Sequence, residues 1–292
     1  MIRGNTLKQR NIKSFSLNQK TLERILKVLI DENKKVQSEE FKKFKENKDK
    51  DKKDNISDDE LKKLIEQNLQ VAIHVWGRDG EYNFIFISDP KKLEEFSWPE
   101  RISRIAIENN SNFEQICKFK PANSFNIEFD FSYIDILDLS SSPTLRTLNN
   151  SQYTIIGVDE GWVLGVEGQL NKVLKSYENP FWNFIHTRNI YDVVLWFVFA
   201  PCFLFSMSNW AKQYPLIQEN FVESLQPVCF IVVFILGLYL FRIFFNMTKR
   251  IFPFASLKGD LKEPRDIWSY IRGTFYSLII ATLTTILSNI FG

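Results

Sequence analysis

Cysteine is scarce in this chain: Cys117, Cys202 and Cys229 are the only three among 292 residues, and no two stand at CxxC spacing. That leaves neither a disulfide framework nor a thiolate zinc site. Histidine is scarcer still, with His74 and His186 alone. Neither has a second histidine, cysteine or carboxylate at metal-ligand spacing, so no metal and no cofactor is expected. The GxSxG and HExxH signatures are missing, and with them the commonest sequence-local hydrolytic sites. Charge of one sign is missing as well. Lysine and arginine total 37 against 35 acids, a net charge of +2, so no nucleic-acid partner is expected. The opening MIRGNTLKQRNIKSF contains no apolar core, and no secretory signal is read there.

What is present is apolar length. Residues 193–210 and 224–241 carry no charge and are rich in Phe, Val, Leu and Ile. As helices each covers roughly 27 Å, close to the ~30 Å hydrocarbon core of a bilayer. Asp192 and Lys212 bracket the first run, and Glu223 and Arg242 the second. The apolar pattern continues past Arg242 through Ile243, Phe244 and Phe245, so this arginine is expected to snorkel to the headgroups. Pro201 should kink the first helix; Pro227 falls in the first turn of the second, where its missing N–H costs little. Trp182, Tyr191 and Trp196 near one end of the first run, with Trp210 and Tyr214 near the other, suit interfacial belts.

Flanking cations set the orientation. Lys172, Lys175 and Arg188 precede the hairpin, and Arg242, Lys249, Arg250, Lys258 and Lys262 follow it. Lys212 stands alone between the helices against Glu219 and Glu223. Excess Lys and Arg mark the cytoplasmic side, which predicts a multi-pass membrane protein with a cytoplasmic N-terminal domain.

Residues 273–292, GTFYSLIIATLTTILSNIFG, form a third long uncharged segment. On a helix, Thr274, Ser277, Ala281, Thr284 or Thr285, and Ser288 line one face, opposite Phe275, Ile279, Leu283, Ile286 and Ile290. Such a stripe suits packing on the other two helices or self-association in an oligomer. An amphipathic helix on the inner leaflet is the third reading.

The N-terminal region reads as α+β. Leu22, Ile25, Leu26 and Leu29 have helical spacing, and a lysine-rich mixed-charge run follows, read as a linker or solvated helix. From Leu69 the period becomes two: Val71, Ile73 and Val75 alternate with Ala72, His74 and Trp76. Gly77 to Gly80 then turns the chain into a second strand carrying Tyr82, Phe84 and Phe86. Asp89-Pro90 begins a short helix. Ile105 and Ile107 suggest a strand, and Phe125, Ile127, Phe129 and Phe131 alternate with Asn126, Glu128, Asp130 and Ser132, as in a sheet wet on one side. A strand at 154–158 leads through a capping Asp159 into a helix with Val163, Val166, Leu170, Val173 and Leu174 on one stripe. Gly157, Gly161, Gly165 and Gly168 match no phosphate-loop spacing, and Asp159 and Glu160 put negative charge where phosphate needs positive. His74 reads as a sheet residue, and Asp135 and Asp138 as solvent-facing carboxylates of an amphipathic segment. The polar loop containing Ser140, Ser141, Ser142, Asn149 and Asn150 is the expected partner-binding loop.

The expected fold is therefore a cytosolic α+β domain, an antiparallel sheet with helices on one face, followed by a helical membrane region of two or three transmembrane helices. Its divisions are an N-terminal strand/helix segment (1–32), a charged linker (33–57), the α+β domain (58–180), the transmembrane hairpin (190–247), a cytosolic connection (248–272) and the last helix (273–292). The expected function is a non-enzymatic membrane sensor or effector, with Thr274, Ser277, Ala281, Thr285 and Ser288 as its membrane-helix packing or self-association face. Its partners are the lipid bilayer, further copies of the chain, and a cytosolic ligand or protein. A membrane-anchored adaptor is the alternative, and an enzyme with a site assembled from distant residues is the third reading.

Overall fold

The structure is a computed structural model and describes residues 5–51, 57–117, 120–132, 149–186, 192–205 and 226–261. The chain forms two compact units. One is α+β and contains the described residues up to Ser132 together with Asn149–Asn179 and the stretch from Ala255; the other is helical and contains Pro180–Phe254.

The α+β unit begins with strands β1 (Thr6–Asn11) and β2 (Phe15–Leu17), then helices α1 (Gln19–Asp51) and α2 (Asp58–Asn68). The hairpin β3 (Val71–Gly77) and β4 (Tyr82–Ile87) follows, then a 3-10 turn (Pro90–Glu95), β5 (Ile102–Glu108), α3 (Ser111–Cys117), β6 (Asn123–Asp130), β7 (Gln152–Gly157) and α4 (Glu160–Lys175). Six strands make one sheet in the order β1-β7-β6-β5-β3-β4, every neighbouring pair antiparallel. Gly80 turns the β3–β4 hairpin with φ 83°, where an L side chain is strained and glycine is not.

Period-two alternation sends Val71, Ile73, Val75, Ile105, Ile107, Phe125, Ile127, Phe129, Tyr153 and Ile155 to one face, all buried. Helices cover that face. Leu22, Ile25, Leu26, Leu29, Ile30 and Val36 of α1 and Val163, Val166, Leu170 and Leu174 of α4 complete the core. The charged run expected as linker or solvated helix continues α1, with Phe41 and Phe44 packed against the core. Its buried acids have partners. Glu32 Oε1 lies 2.7 Å from Lys35 Nζ and accepts from Gln169 at 2.9 Å; Glu40 Oε1 takes Lys43 at 3.1 Å and the Ala122 N–H at 2.9 Å. Asp159 caps α4 through the Gly161 N–H.

A second, two-stranded sheet pairs β2 in parallel with β8 (Ala255–Leu257). Phe15 also bridges Glu178 on its other side, and the Ser14 and Leu17 carbonyls accept from the Asn179 and Lys258 N–H groups, each at 2.8 Å. Packing of Phe15 against Phe129 and Phe131, with centroids 5.2 and 5.9 Å away, anchors this strand in the core.

The helical unit contains α5 (Pro180–Ile185), α6 (Val194–Phe205) and α7 (Gln226–Ile251). Ile231–Ile251 is the one stretch among the described residues long and apolar enough to cross a membrane; α6 is apolar but shorter. A π-helical stretch over Val194–Phe199 precedes Pro201. Proline interrupts the i to i−4 ladder, and a wider turn absorbs the change. Leu195, Phe241 and Phe245 are buried between the helices. Trp196, Phe197, Leu204, Phe205, Ile231, Val232, Leu236 and Leu240 lie outward and exposed.

Arg242 corrects the snorkelling expectation, since only 4% of it is exposed. Helix α7 continues to Ile251, so Arg242 is an interior residue of the helix. The 3.6-residue period places it with Asn246 and Lys249 on the packed face, and all three are buried. Residues 273–292, with the stripe Thr274, Ser277, Ala281, Thr285 and Ser288, lie outside the described residues, as do Asp135, Asp138, Ser140, Ser141 and Ser142.

Candidate functional site

The sheet face turned away from α1 and α4 carries the most distinctive chemistry of the α+β unit. Cross-strand register builds it row by row. Tyr82, Trp76, Arg104 and Asp130 stand opposite one another in the first row; Phe84, His74, Ala106, Glu128 and Gln152 form the second; Phe86, Ala72, Glu108, Asn126 and Thr154 form the third. The β3–β4 half is therefore aromatic and the β5–β7 half polar, with the small Ala72 and Ala106 between them.

The alternation places Tyr82, Phe84 and Phe86 on one side of their strand, and register makes that the open side. Both sides of β4 are apolar, so period alone does not decide which is buried. Pairing with β3 decides it: Ile85 opposite Ile73 and Ile87 opposite Val71 take the core side. Tyr82 and Phe84 remain 47% and 55% exposed.

The rings are ordered with respect to one another. His74 lies nearly parallel to Trp76, Tyr82 and Phe84, at centroid distances of 5.9, 6.1 and 6.2 Å, and Tyr82 and Phe84 are also stacked, at 6.2 Å. His74 joins this array to the polar half. Its Nδ1 is 2.6 Å from the Tyr82 hydroxyl, and its Nε2 is 3.1 Å from Glu108 Oε1. The second contact is close but poorly aligned for a directed hydrogen bond. With the ring proton on Nε2, facing Glu108, Nδ1 accepts from the phenol.

The electrostatics fit that arrangement. The imidazole beside Glu108 holds its carboxyl below the usual range, against the opposing effect of partial burial. Burial and the nearby Glu108 charge push the Tyr82 phenol up, so it stays a hydrogen-bond donor at neutral pH. A phenolate nucleophile would require the opposite shift.

Arg104 completes the face. Its guanidinium lies 4.9 Å from the Trp76 ring centroid and 2.8 Å from Glu128 Oε1. Beside it is an open cleft of about 660 Å³, lined by Trp76, Arg104, Glu128, Asp130, Asn149 and Asn150 among others. The two asparagines are the described members of the expected partner-binding loop, so the structure brings that loop's end to the same face. Each also has a structural task. The Asn149 side-chain amide donates to the Ile12 carbonyl, and Asn150 donates to Asp130 Oδ2 at 2.7 Å.

Sequence reading did not assemble His74, Tyr82, Arg104, Glu108 and Glu128 into a site. The available signal was a run of aromatics at period two on a strand whose alternate positions are also apolar. Among the described residues no group of three His, Cys, Asp or Glu side chains is placed to hold a metal ion. His186, the other histidine, belongs to the helical unit, where Nε2 donates to the Phe252 carbonyl at 2.6 Å. Compared with known proteins, the chain matches no family model, no curated sequence and no solved structure.

Proposed function

We propose that this protein is a membrane sensor or effector in which the α+β unit recognises a partner on its open sheet face and the helical unit responds in the bilayer. One observation carries the coupling. The chain leaves the α+β unit just after Glu178 and re-enters it at Ala255, and both points are pinned to the same residue, Phe15. Any movement of β2 relative to the main sheet therefore pulls on both ends of the helical unit at once.

The same clasp supports the hairpin topology. If the span in α7 crosses the bilayer, two chain ends held at one strand require an even number of crossings between them. Helix α6, which lies within the uncharged run of residues 193–210, is the candidate for the second crossing. The outward apolar side chains of α6 and α7 favour this reading, because a soluble core helix of that composition would be largely covered, whereas 28% of the α7 window is buried.

The test is membrane potential, followed with a voltage-sensitive dye during induced expression. The intact chain is expected to depolarise the membrane. Ser16→Pro, which removes the N–H that Ser16 donates to Tyr177, is expected to insert normally and depolarise less, with Ser16→Ala intermediate because it loses only the hydroxyl contact to Ser256. Absence of depolarisation by the intact chain overturns the effector reading. Full activity after residues 180–254 are exchanged for an unrelated transmembrane hairpin would make the helices a simple anchor.

A further inference from the structure

We propose that the open sheet face docks a basic peptide segment of a partner protein, seating its arginine or lysine side chains against the β3–β4 aromatics and the carboxylates of β5 and β6. This rests on the reading of that face as the recognition surface, and it specifies the chemistry recognised.

The first argument is charge. Glu108, Glu128 and Asp130 face the same side as Arg104 and His74, and Arg104 is already committed to Glu128. Phosphates laid across these rows would meet three carboxylates, so a nucleic acid is disfavoured in spite of the stacked rings. A wholly apolar partner would strip water from the same carboxylates without replacing it. A cation satisfies both halves of the face together, its charge on the acids and its flat or methylene part on the rings.

The second argument is that the protein already performs this recognition once. Arg104 rests on Trp76 with its guanidinium on Glu128, which is the geometry a partner's arginine would adopt. The neighbouring rings Tyr82 and Phe84 have no such cover and are the most exposed aromatics of the face, and Glu108 stands across Ala72 from Phe86, one row from Phe84, at 21% side-chain exposure. The third argument is shape. Small molecules are held in concave sites that enclose most of their surface, whereas this face is open and several strands wide. An extended chain crossing it can place alternate side chains on successive rows.

The experiment uses the full chain in nanodiscs of zwitterionic lipid, with empty nanodiscs as reference. Binding of a fluorescent arginine-rich peptide is measured by anisotropy beside an aspartate-rich peptide and an oligothymidylate. The arginine-rich peptide is expected to bind alone among the three. Phe84→Ala and Glu108→Gln should each weaken it about tenfold, in line with loss of one central anchor, and the two changes should differ in salt dependence, the Glu108→Gln protein showing the flatter profile. Peptide affinity unchanged in both variants overturns the proposal, as does binding of the oligothymidylate in its place. If the peptide fails to bind while depolarisation persists, this assignment falls and the coupling reading stands. If the peptide binds and the membrane stays polarised, the reverse holds.

Discussion

Gly237 and Phe203 approach so closely that a Cβ on the glycine would lie 2.8 Å from the phenylalanine ring. The missing side chain is a notch on α7 into which α6 inserts an aromatic. Phe203 also meets Phe234 and Phe199, so two further aromatics hold the ring against the notch. Gly237→Val should therefore push the two helices apart and lower the stability of the helical unit by about 1–3 kcal/mol. Thermal unfolding in detergent checks this, and Ile235→Val, at an outward position, should unfold with the parent.

A buried amide chain holds α1 to the sheet. Asn109 donates to Asn33 Oδ1 at 2.9 Å and accepts from the Phe125 N–H at 3.0 Å, while Asn33 donates to the Leu69 carbonyl. Asn109→Ala leaves the Phe125 N–H and the Asn33 oxygen without partners inside the core. The expected loss is about 2–6 kcal/mol, at about 1–3 kcal/mol for each orphaned group, read as a shift of the denaturation midpoint. Gln9→Ala, which removes an exposed hydrogen bond to Gln152, should have almost no effect.

His186 makes the helical unit sensitive to acid. Burial lowers its pKa to about 4, with the Lys249 charge acting in the same direction and the bond to the Phe252 carbonyl opposing both. The folded state thus prefers the neutral ring. The associated stability is fully present above the unfolded value near 6.5 and is lost as pH falls from there toward 4, a change on the order of 3 kcal/mol. The melting temperature of the intact chain should drop between pH 7 and pH 5. That of His186→Gln should stay nearly level over the same interval, and parallel curves would refute the assignment.

The open face has its own pH signature. Because His74 holds Glu108 below the ordinary carboxylate range, the stability from this contact is present above that range and disappears as pH falls through the lowered value. Glu108→Gln should remove this acid-limb contribution from the denaturation profile of the α+β unit, while Glu114→Gln, an exposed carboxylate on α3, should leave it in place.

The parts of this molecule legible in the sequence were those with local causes. The β3–β4 hairpin is written in its alternation and in Gly80, the α4 start in Asp159, and the wet-sided strand β6 in Phe125, Ile127 and Phe129. The candidate site has no local cause. His74 and Glu108 meet because β3 and β5 are neighbours, and β4 turns Tyr82 outward because Ile85 and Ile87 have inner partners. Both facts belong to register, which no single strand encodes. Arg242 differs from expectation for a related reason: its position at the end of an apolar run is visible in sequence, but which face of α7 is buried is set by tertiary packing. Asn149 and Asn150 stand out by their turn-forming composition, and strand order places them beside Trp76 and Arg104.

The pairing of β2 with β8 also sets an order in time. Phe15 emerges early in synthesis, yet its partner Ala255 is made only after all of α7. The N-terminal unit therefore remains incomplete, with one side of β2 uncovered, until the chain has passed through its apolar segments and returned. Strand β2 thus gains its parallel partner only after the whole intervening helical unit has been synthesised.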